Sequence, residues 1–257
     1  MRRTIPARLG RPGLVVVLGA GLAGCGMPDP VTEQGESVRT LWNPTIVAAI
    51  AVGAFVWALA LWSVVRYRKR NETLPTQVAE HIPIEIVYTV VPILIVAGLF
   101  VVGAATTTKV EEKAEDPDVV VDVEGFQWSW QFTYIEEDVL VSGDGSGTDG
   151  PELVLPVGQT TRLNLISDDV AHSFWVPEFL TKRDLIPGID NEIDVTPTET
   201  GTYRGRCAEY CGLDHWRMYF SVRIVTAEEF EAWVAENAGG DPVSAEADAP
   251  EEGEGSG

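Results

Sequence analysis

The stretch Cys207-Ala208-Glu209-Tyr210-Cys211-Gly212-Leu213-Asp214-His215-Trp216-Arg217-Met218 gathers two thiols, an imidazole and a thioether. A second imidazole, His172, lies upstream behind Asp168-Asp169. Soft sulfur donors mixed with imidazoles select copper over magnesium or calcium. A Cys207–Cys211 disulfide suits an oxidising compartment but leaves both histidines and Met218 without a task. Zinc takes two cysteines and two histidines, yet gains little from a thioether. A mononuclear blue-copper site uses one cysteine, two histidines and a weak axial methionine, so one cysteine is left over. Two thiolates bridging two coppers, with one imidazole on each metal, Met218 on one and a backbone carbonyl on the other, use every donor.

Such donors need a scaffold that folds distant loops onto one point. Val119–Val123, Gln127–Tyr134, Leu153–Leu155, Thr161–Ile166, Glu192–Val195, Thr202–Arg206 and Tyr219–Val225 are short and rich in β-branched or aromatic residues. Pro, Gly, Asp and Asn punctuate them. This spacing predicts an antiparallel sandwich or barrel, with the ligand stretch in a loop after a strand and His172 in another loop at the same end. Helical periodicity returns only at Ala227–Glu236, a short closing helix. The segment 142–150 reads as a Gly/Asp/Ser loop, and residues 238–257 as a disordered acidic tail.

The N-terminal part is of a different kind. Arg2, Arg3, Arg8 and Arg11 precede an apolar run, Leu14–Leu22, in the order of a secretory signal. That run is shorter than the roughly 20 residues a bilayer crossing needs. It ends Leu22-Ala23-Gly24-Cys25, which resembles a bacterial lipobox, so residues 1–24 are expected to be removed and Cys25 lipidated. Two spans follow, Thr45–Val65 and about Ile82–Ala105. Arg66, Arg68, Lys69 and Arg70 between them place the connecting loop in the cytoplasm. Both mature ends then face outward. Glu85, at the start of the second span, is either a helix-start acid or part of a proton pathway; its spacing alone favours the first. The net charge of −21 lies mostly beyond the spans and excludes nucleic acid as a partner.

Cys207-x-Glu209-x-Cys211-Gly212-x-x-His215-x-x-Met218 resembles the copper motif of cytochrome c oxidase subunit II. So do His172-Ser173-Phe174-x-Val176-Pro177 and Lys182-x-Asp184-x-Ile186-Pro187-Gly188. The resemblance covers Trp42–Trp233. It implies a two-helix transmembrane hairpin plus an all-β, cupredoxin-like sandwich holding the two-copper CuA centre. His172, Cys207, Cys211, His215 and Met218 are then side-chain ligands, and Glu209 binds copper through its carbonyl. The Glu209 carboxylate is also implied in a magnesium site shared with the catalytic subunit. By the same resemblance Trp128, in Gln127-Trp128-Ser129-Trp130, receives electrons from cytochrome c. Glu85, in Glu85-Ile86-Val87-Tyr88-Thr89-Val90-Val91-Pro92, marks the mouth of a proton channel.

The expected organisation is a signal at 1–24, an N-terminal segment and hairpin at 25–110, the copper domain at 111–237 and the tail. The implied role is electron input to a proton-translocating respiratory oxidase. Its partners are subunit I, other oxidase subunits, a cytochrome c or haem c donor and membrane lipid. The implied location is the bacterial plasma membrane, with the copper domain outside. Two positions depart from the family pattern: Ile189 stands where Arg is common, and Ser129 where an aromatic is common. No Cys-x-x-Cys-His follows the sandwich, so no fused haem c domain is expected.

Overall fold

A computed structural model of the chain describes residues 26–69, 76–143, 150–240 and 243–244. The signal segment and Cys25 lie outside the described residues, as does most of the 142–150 loop. Two long helices come first, α1 (Glu33–Arg66) and α2 (Ile82–Val110). Both are long and apolar enough to cross a membrane, and the chain itself buries nothing of their most apolar stretches. At 1.5 Å per residue α1 extends about 50 Å, well beyond the hydrocarbon thickness. Its first turns, carrying Glu33 and Glu36, are therefore not part of the expected span. The Thr32 side chain starts the helix by accepting from the Gly35 amide at 3.0 Å.

Eleven strands follow among the described residues. One sheet has the order β11-β3-β2-β1-β5-β8, the other β4-β10-β9-β6-β7. The strands are β1 (Val119–Phe126), β2 (Ser129–Tyr134), β3 (Val139–Ser142), β4 (Glu152–Pro156), β5 (Thr161–Ile166), β6 (His172–Val176), β7 (Thr181–Leu185), β8 (Asn191–Val195), β9 (Gly201–Cys207), β10 (Tyr219–Val225) and β11 (Val243–Ser244). Alternation along β1 buries Val119, Val121 and Val123 and turns Asp122 and Glu124 outward. Trp130, Phe132 and Tyr134 of β2 meet Phe220, Val222 and Ile224 of β10 in the apolar layer between the sheets. Tyr134 fixes that layer, its hydroxyl donating to the Val154 carbonyl at 2.8 Å and accepting from the Val154 amide at 2.7 Å. Helix α3 (Ala227–Asn237) starts in a Thr226/Glu229 capping box and closes the core with Phe230 and Trp233 against Tyr134.

The structure corrects three expectations. The sandwich is mixed rather than antiparallel, because β1 with β5, β4 with β10, and β3 with β11 run parallel. Val243–Ser244 form an edge strand on β3 inside the segment expected to be disordered, with Val243 packed against the core. His172 is the first residue of strand β6, not a loop residue, and it is 0% exposed.

The start of α1 and the end of α2 are both tied to the sandwich near β8. Before α1, Val31 is buried; its amide donates to Glu178 O, and Thr198 donates to Val31 O. After α2, the Ala114 amide donates to Asp194 Oδ2 at 2.7 Å and Arg162 Nη2 donates to Ala114 O at 2.7 Å. Arg162 grips both Asp194 oxygens, at 2.8 and 2.9 Å.

Candidate metal centre

Five of the six expected ligand residues belong to one hairpin. Cys207 ends β9, Met218 immediately precedes β10, and Glu209, Cys211 and His215 lie in the loop between. The Cys207 amide closes the base of that loop on the Met218 carbonyl at 3.0 Å. A 3-10 turn, His215–Arg217, swings the second imidazole back toward the thiols. His172 arrives on the neighbouring strand, where Phe174 pairs with Cys207 and the Ala208 amide donates to Ser173 O.

The donor atoms converge. Cys207 Sγ lies 3.9 Å from Cys211 Sγ, 3.8 Å from His172 Nδ1 and 3.2 Å from the Glu209 carbonyl oxygen. Cys211 Sγ lies 3.5 Å from His215 Nδ1 and 3.8 Å from Met218 Sδ. Each thiol thus has its own imidazole, and the carbonyl and thioether sit beside different sulfurs. The 3.9 Å between the sulfurs is far from the roughly 2.05 Å of a disulfide. Cys207, Cys211 and Met218 are all buried.

The electrostatics fit a cation. Burial resists ionisation of Cys207, but hydrogen bonds from His172 and the loop backbone lower its pKa to about 7. Burial and the neighbouring Cys207 charge push Cys211 the other way. Two adjacent thiolates in an apolar pocket repel each other and require positive charge between them. Two soft sulfurs, two imidazoles, a thioether and a carbonyl are a copper-type donor set.

The surroundings hold residues that sequence reasoning missed. His172 turns Nε2 outward to Asp169 Oδ1 at 2.9 Å. The other Asp169 oxygen accepts from the Gln127 backbone amide at 2.7 Å, and Gln127 Nε2 donates to the Cys211 carbonyl at 2.7 Å. Burial opposes the Asp169 charge, but the Val170 amide, His172 and the Gln127 amide hold its carboxyl below the usual range. A carboxylate three residues before a histidine was the one available signal. Tyr210, Leu213 and Trp216 were also missed; they stand 77%, 80% and 70% exposed on the ligand loop. An open groove of about 450 Å³, lined by Trp175, Arg206, His215, Trp216 and Tyr219, runs beside Cys207.

Trp128 is half-buried against Gly212, the residue after Cys211. Gly212 has φ +125°, and a β-carbon there would stand 3.2 Å from the indole Nε1, so this contact needs glycine. That Nε1 is buried without a hydrogen-bond partner among the described residues. Gly125 of β1 plays the matching part for His172, whose ring carbon would lie 3.3 Å from an added β-carbon. Glu85 is not brought to this centre. It sits in the first turn of α2, at the end away from the sandwich, its carboxylate accepting from the His81 amide at 2.8 Å. The Glu209 carboxylate belongs to an exposed residue, and only its carbonyl faces the thiols.

Comparison with known proteins gives a consistent result. The model for the transmembrane domain of cytochrome c oxidase subunit II matches residues 20–103, and that for its periplasmic domain matches residues 147–225. The probable cytochrome c oxidase subunit 2 of Streptomyces avermitilis is 39% identical over 277 aligned residues, covering 88% of this chain and 87% of the relative. Cytochrome c oxidase subunit 2 of Mycobacterium tuberculosis is 34% identical, covering 84% of this chain and 76% of the relative. Among solved structures, the periplasmic domain of subunit II of cytochrome oxidase from Bradyrhizobium japonicum aligns with a TM-score of 0.44 at 31% identity. It covers 49% of this chain and 96% of that one.

Proposed function

The chain belongs to the cytochrome c oxidase subunit II family, and we propose that it is the electron-accepting subunit of a respiratory haem–copper oxidase. It is a membrane protein with two transmembrane helices and a cupredoxin-like sandwich. The observation that carries the reading is the convergence of His172, Cys207, Cys211, His215 and Met218 on one buried point. Two copper ions held there supply a one-electron relay between a cytochrome c, or a haem c subunit, and haem in the catalytic subunit.

The chain's own residues provide the rest. Cys207 and Cys211 would supply the thiolates that hold the metals, His172 and His215 the imidazoles, and Met218 and the Glu209 carbonyl would complete the donor set. Strand ends and a closed hairpin base hold these donors nearly still, so little structural rearrangement accompanies a change of charge. Trp128, packed beside Cys211, gives the donor a conjugated surface into the centre. Tyr210, Leu213 and Trp216 offer apolar contact to protein partners beside the ligands, and the Glu209 carboxylate shares magnesium with the catalytic subunit. The basic loop after α1 lies in the cytoplasm, with the sandwich outside. Glu85 then stands at the inner mouth of α2, where it passes protons inward during oxygen reduction and proton translocation. Cys25 carries a lipid as a second anchor.

The decisive experiment is copper stoichiometry on the purified full chain, its thiols first reduced, the reductant then removed, and the chain loaded with copper(I) and copper(II) together. Two coppers per chain and a purple, mixed-valence species with a delocalised paramagnetic signal are expected. Cys207→Ser and Cys211→Ser should each abolish that species, because a serine hydroxyl is too hard and too weakly acidic to bridge. One copper with a blue spectrum, or no copper at all, overturns the assignment.

A further inference from the structure

Between the two halves of the ligand set runs an unbroken chain of hydrogen bonds. It begins at His172 Nε2 and passes through both carboxylate oxygens of Asp169 to the Gln127 backbone amide. From the same residue the side-chain amide reaches the Cys211 carbonyl. Asp169 is itself fixed by the Val170 amide and by Ser167 Oγ at 3.2 Å. The next residue along from Gln127 is Trp128, whose indole rests on Gly212. Gln127 therefore sits where three things meet: the carboxylate behind one imidazole, the backbone of one cysteine and the tryptophan.

We infer that Asp169 and Gln127 form a clasp that sets the orientation and donor strength of His172 and locks the cysteine loop to the Trp128 turn, making electron acceptance and ligand geometry one rigid unit. The inference rests on the copper reading of this centre. Two physical arguments support it. A carboxylate accepting from the outer nitrogen of a ligating imidazole fixes its tautomer and ring plane and strengthens it as a donor. Second, Asp169 spends its other oxygen on a different element, so ring orientation is referred to the β1–β2 turn and not only to strand β6. Histidine bound to copper through Nδ1 must carry its proton on Nε2, which is the nitrogen facing Asp169. Both residues are positioning residues; neither offers an atom to the metal.

The test uses the full chain in detergent, loaded with copper, as wild type, Asp169→Ala, Asp169→Asn, Gln127→Ala and the Asp169→Ala/Gln127→Ala double variant. Copper affinity by chelator competition, the paramagnetic hyperfine pattern and the reduction potential are measured, with thermal melting of the metal-free chains alongside. Asp169→Ala should weaken copper binding by about ten- to a hundredfold. It should also raise the potential, because a weaker imidazole donor favours the reduced metals. Asp169→Asn should fall between, since its amide oxygen still accepts from His172 while its –NH₂ opposes the Gln127 amide. Gln127→Ala should alter the hyperfine pattern, and its effect on affinity in the double variant should be less than additive, because both changes cut the same chain. Wild-type potential and hyperfine pattern in Asp169→Ala, with only the metal-free melting lowered, would make Asp169 a folding residue and overturn the clasp. Full additivity would overturn the shared unit. A wild-type chain that takes up no copper fails at the earlier step and overturns the proposed function instead.

Discussion

Replacing Asp194 with alanine should destabilise the sandwich domain by about 3 kcal/mol, at the lower end of the range for breaking a buried ion pair. The magnitude follows from what the carboxylate holds. It is buried, grips Arg162 through both oxygens and accepts from the Ala114 amide. Removing it strands a largely buried guanidinium, which alone costs roughly 3–5 kcal/mol. Arg162 retains the Ala114 carbonyl and a longer approach to Glu192 at 3.8 Å, which places the estimate at the bottom of that range. For a domain of this size the melting temperature should fall by on the order of 10 °C. The assay is near-ultraviolet circular dichroism of the full chain in detergent on heating, which follows aromatic packing in the sandwich. The pH dependence has a definite sign. Burial works to raise the Asp194 carboxyl, but the Arg162 hydrogen bonds and the Ala114 amide hold it below the ordinary range. A depressed carboxyl contributes stability that is full above its unfolded pKa of about 4 and is lost as pH falls through the folded value. The gap between wild type and Asp194→Ala should therefore be full at pH 7 and close in strong acid. An unchanged melting temperature at pH 7, or a gap undiminished in acid, would refute the reasoning.

Other residues give sharper functional tests. Trp128→Ala should leave the copper spectrum intact while slowing cytochrome c oxidation by the assembled oxidase; a normal rate with a normal spectrum refutes the electron-accepting role, and lost copper points to packing alone. Glu85→Ala should slow steady-state turnover partially, since water still reaches a channel mouth, without changing copper content; wild-type turnover counts against the proton role. Intact-mass analysis of the membrane-extracted chain should show loss of residues 1–24 and a lipid-sized addition on Cys25. A retained signal or a free Cys25 thiol would contradict that processing.

Much of the fold was legible because its strongest patterns are local. Thr161–Ile166 and Tyr219–Val225 were bounded correctly, since apolar and polar residues alternate along both, as in a half-buried strand. Strand β7, Thr181-Lys182-Arg183-Asp184-Leu185, was missed because it is a sheet edge, where charged side chains are tolerated and alternation is weak. Strand β6 was missed because Asp168 and Asp169 precede it, and the histidine that opens it reads as polar although it is buried. Parallel pairing could not be seen at all. A period of two residues says which face points inward, not which way the neighbouring strand runs.

The two sheets divide the work of the proposed metal centre, and that division decides what sequence could reveal. One sheet supplies the donors: β9 and β10 bear the hairpin with Cys207 through Met218, and adjacent β6 bears His172. Most of the ligand set is therefore continuous in sequence, and its soft-donor composition is conspicuous. The opposite sheet supplies Gln127 from the β1–β2 turn, while Asp169 comes from the β5–β6 crossover between the sheets. Gln127 meets Asp169 across 42 residues and Cys211 across 84. An aspartate or a glutamine in a turn has ordinary uses in every protein, and nothing in its type or spacing marks it as support for a distant imidazole. Only closing the sandwich brings the donor sheet against its brace. On the proposed copper reading, ligand identity is thus a property of one hairpin, whereas ligand rigidity is a property of the whole domain, and a relay passing single electrons with little rearrangement would need both.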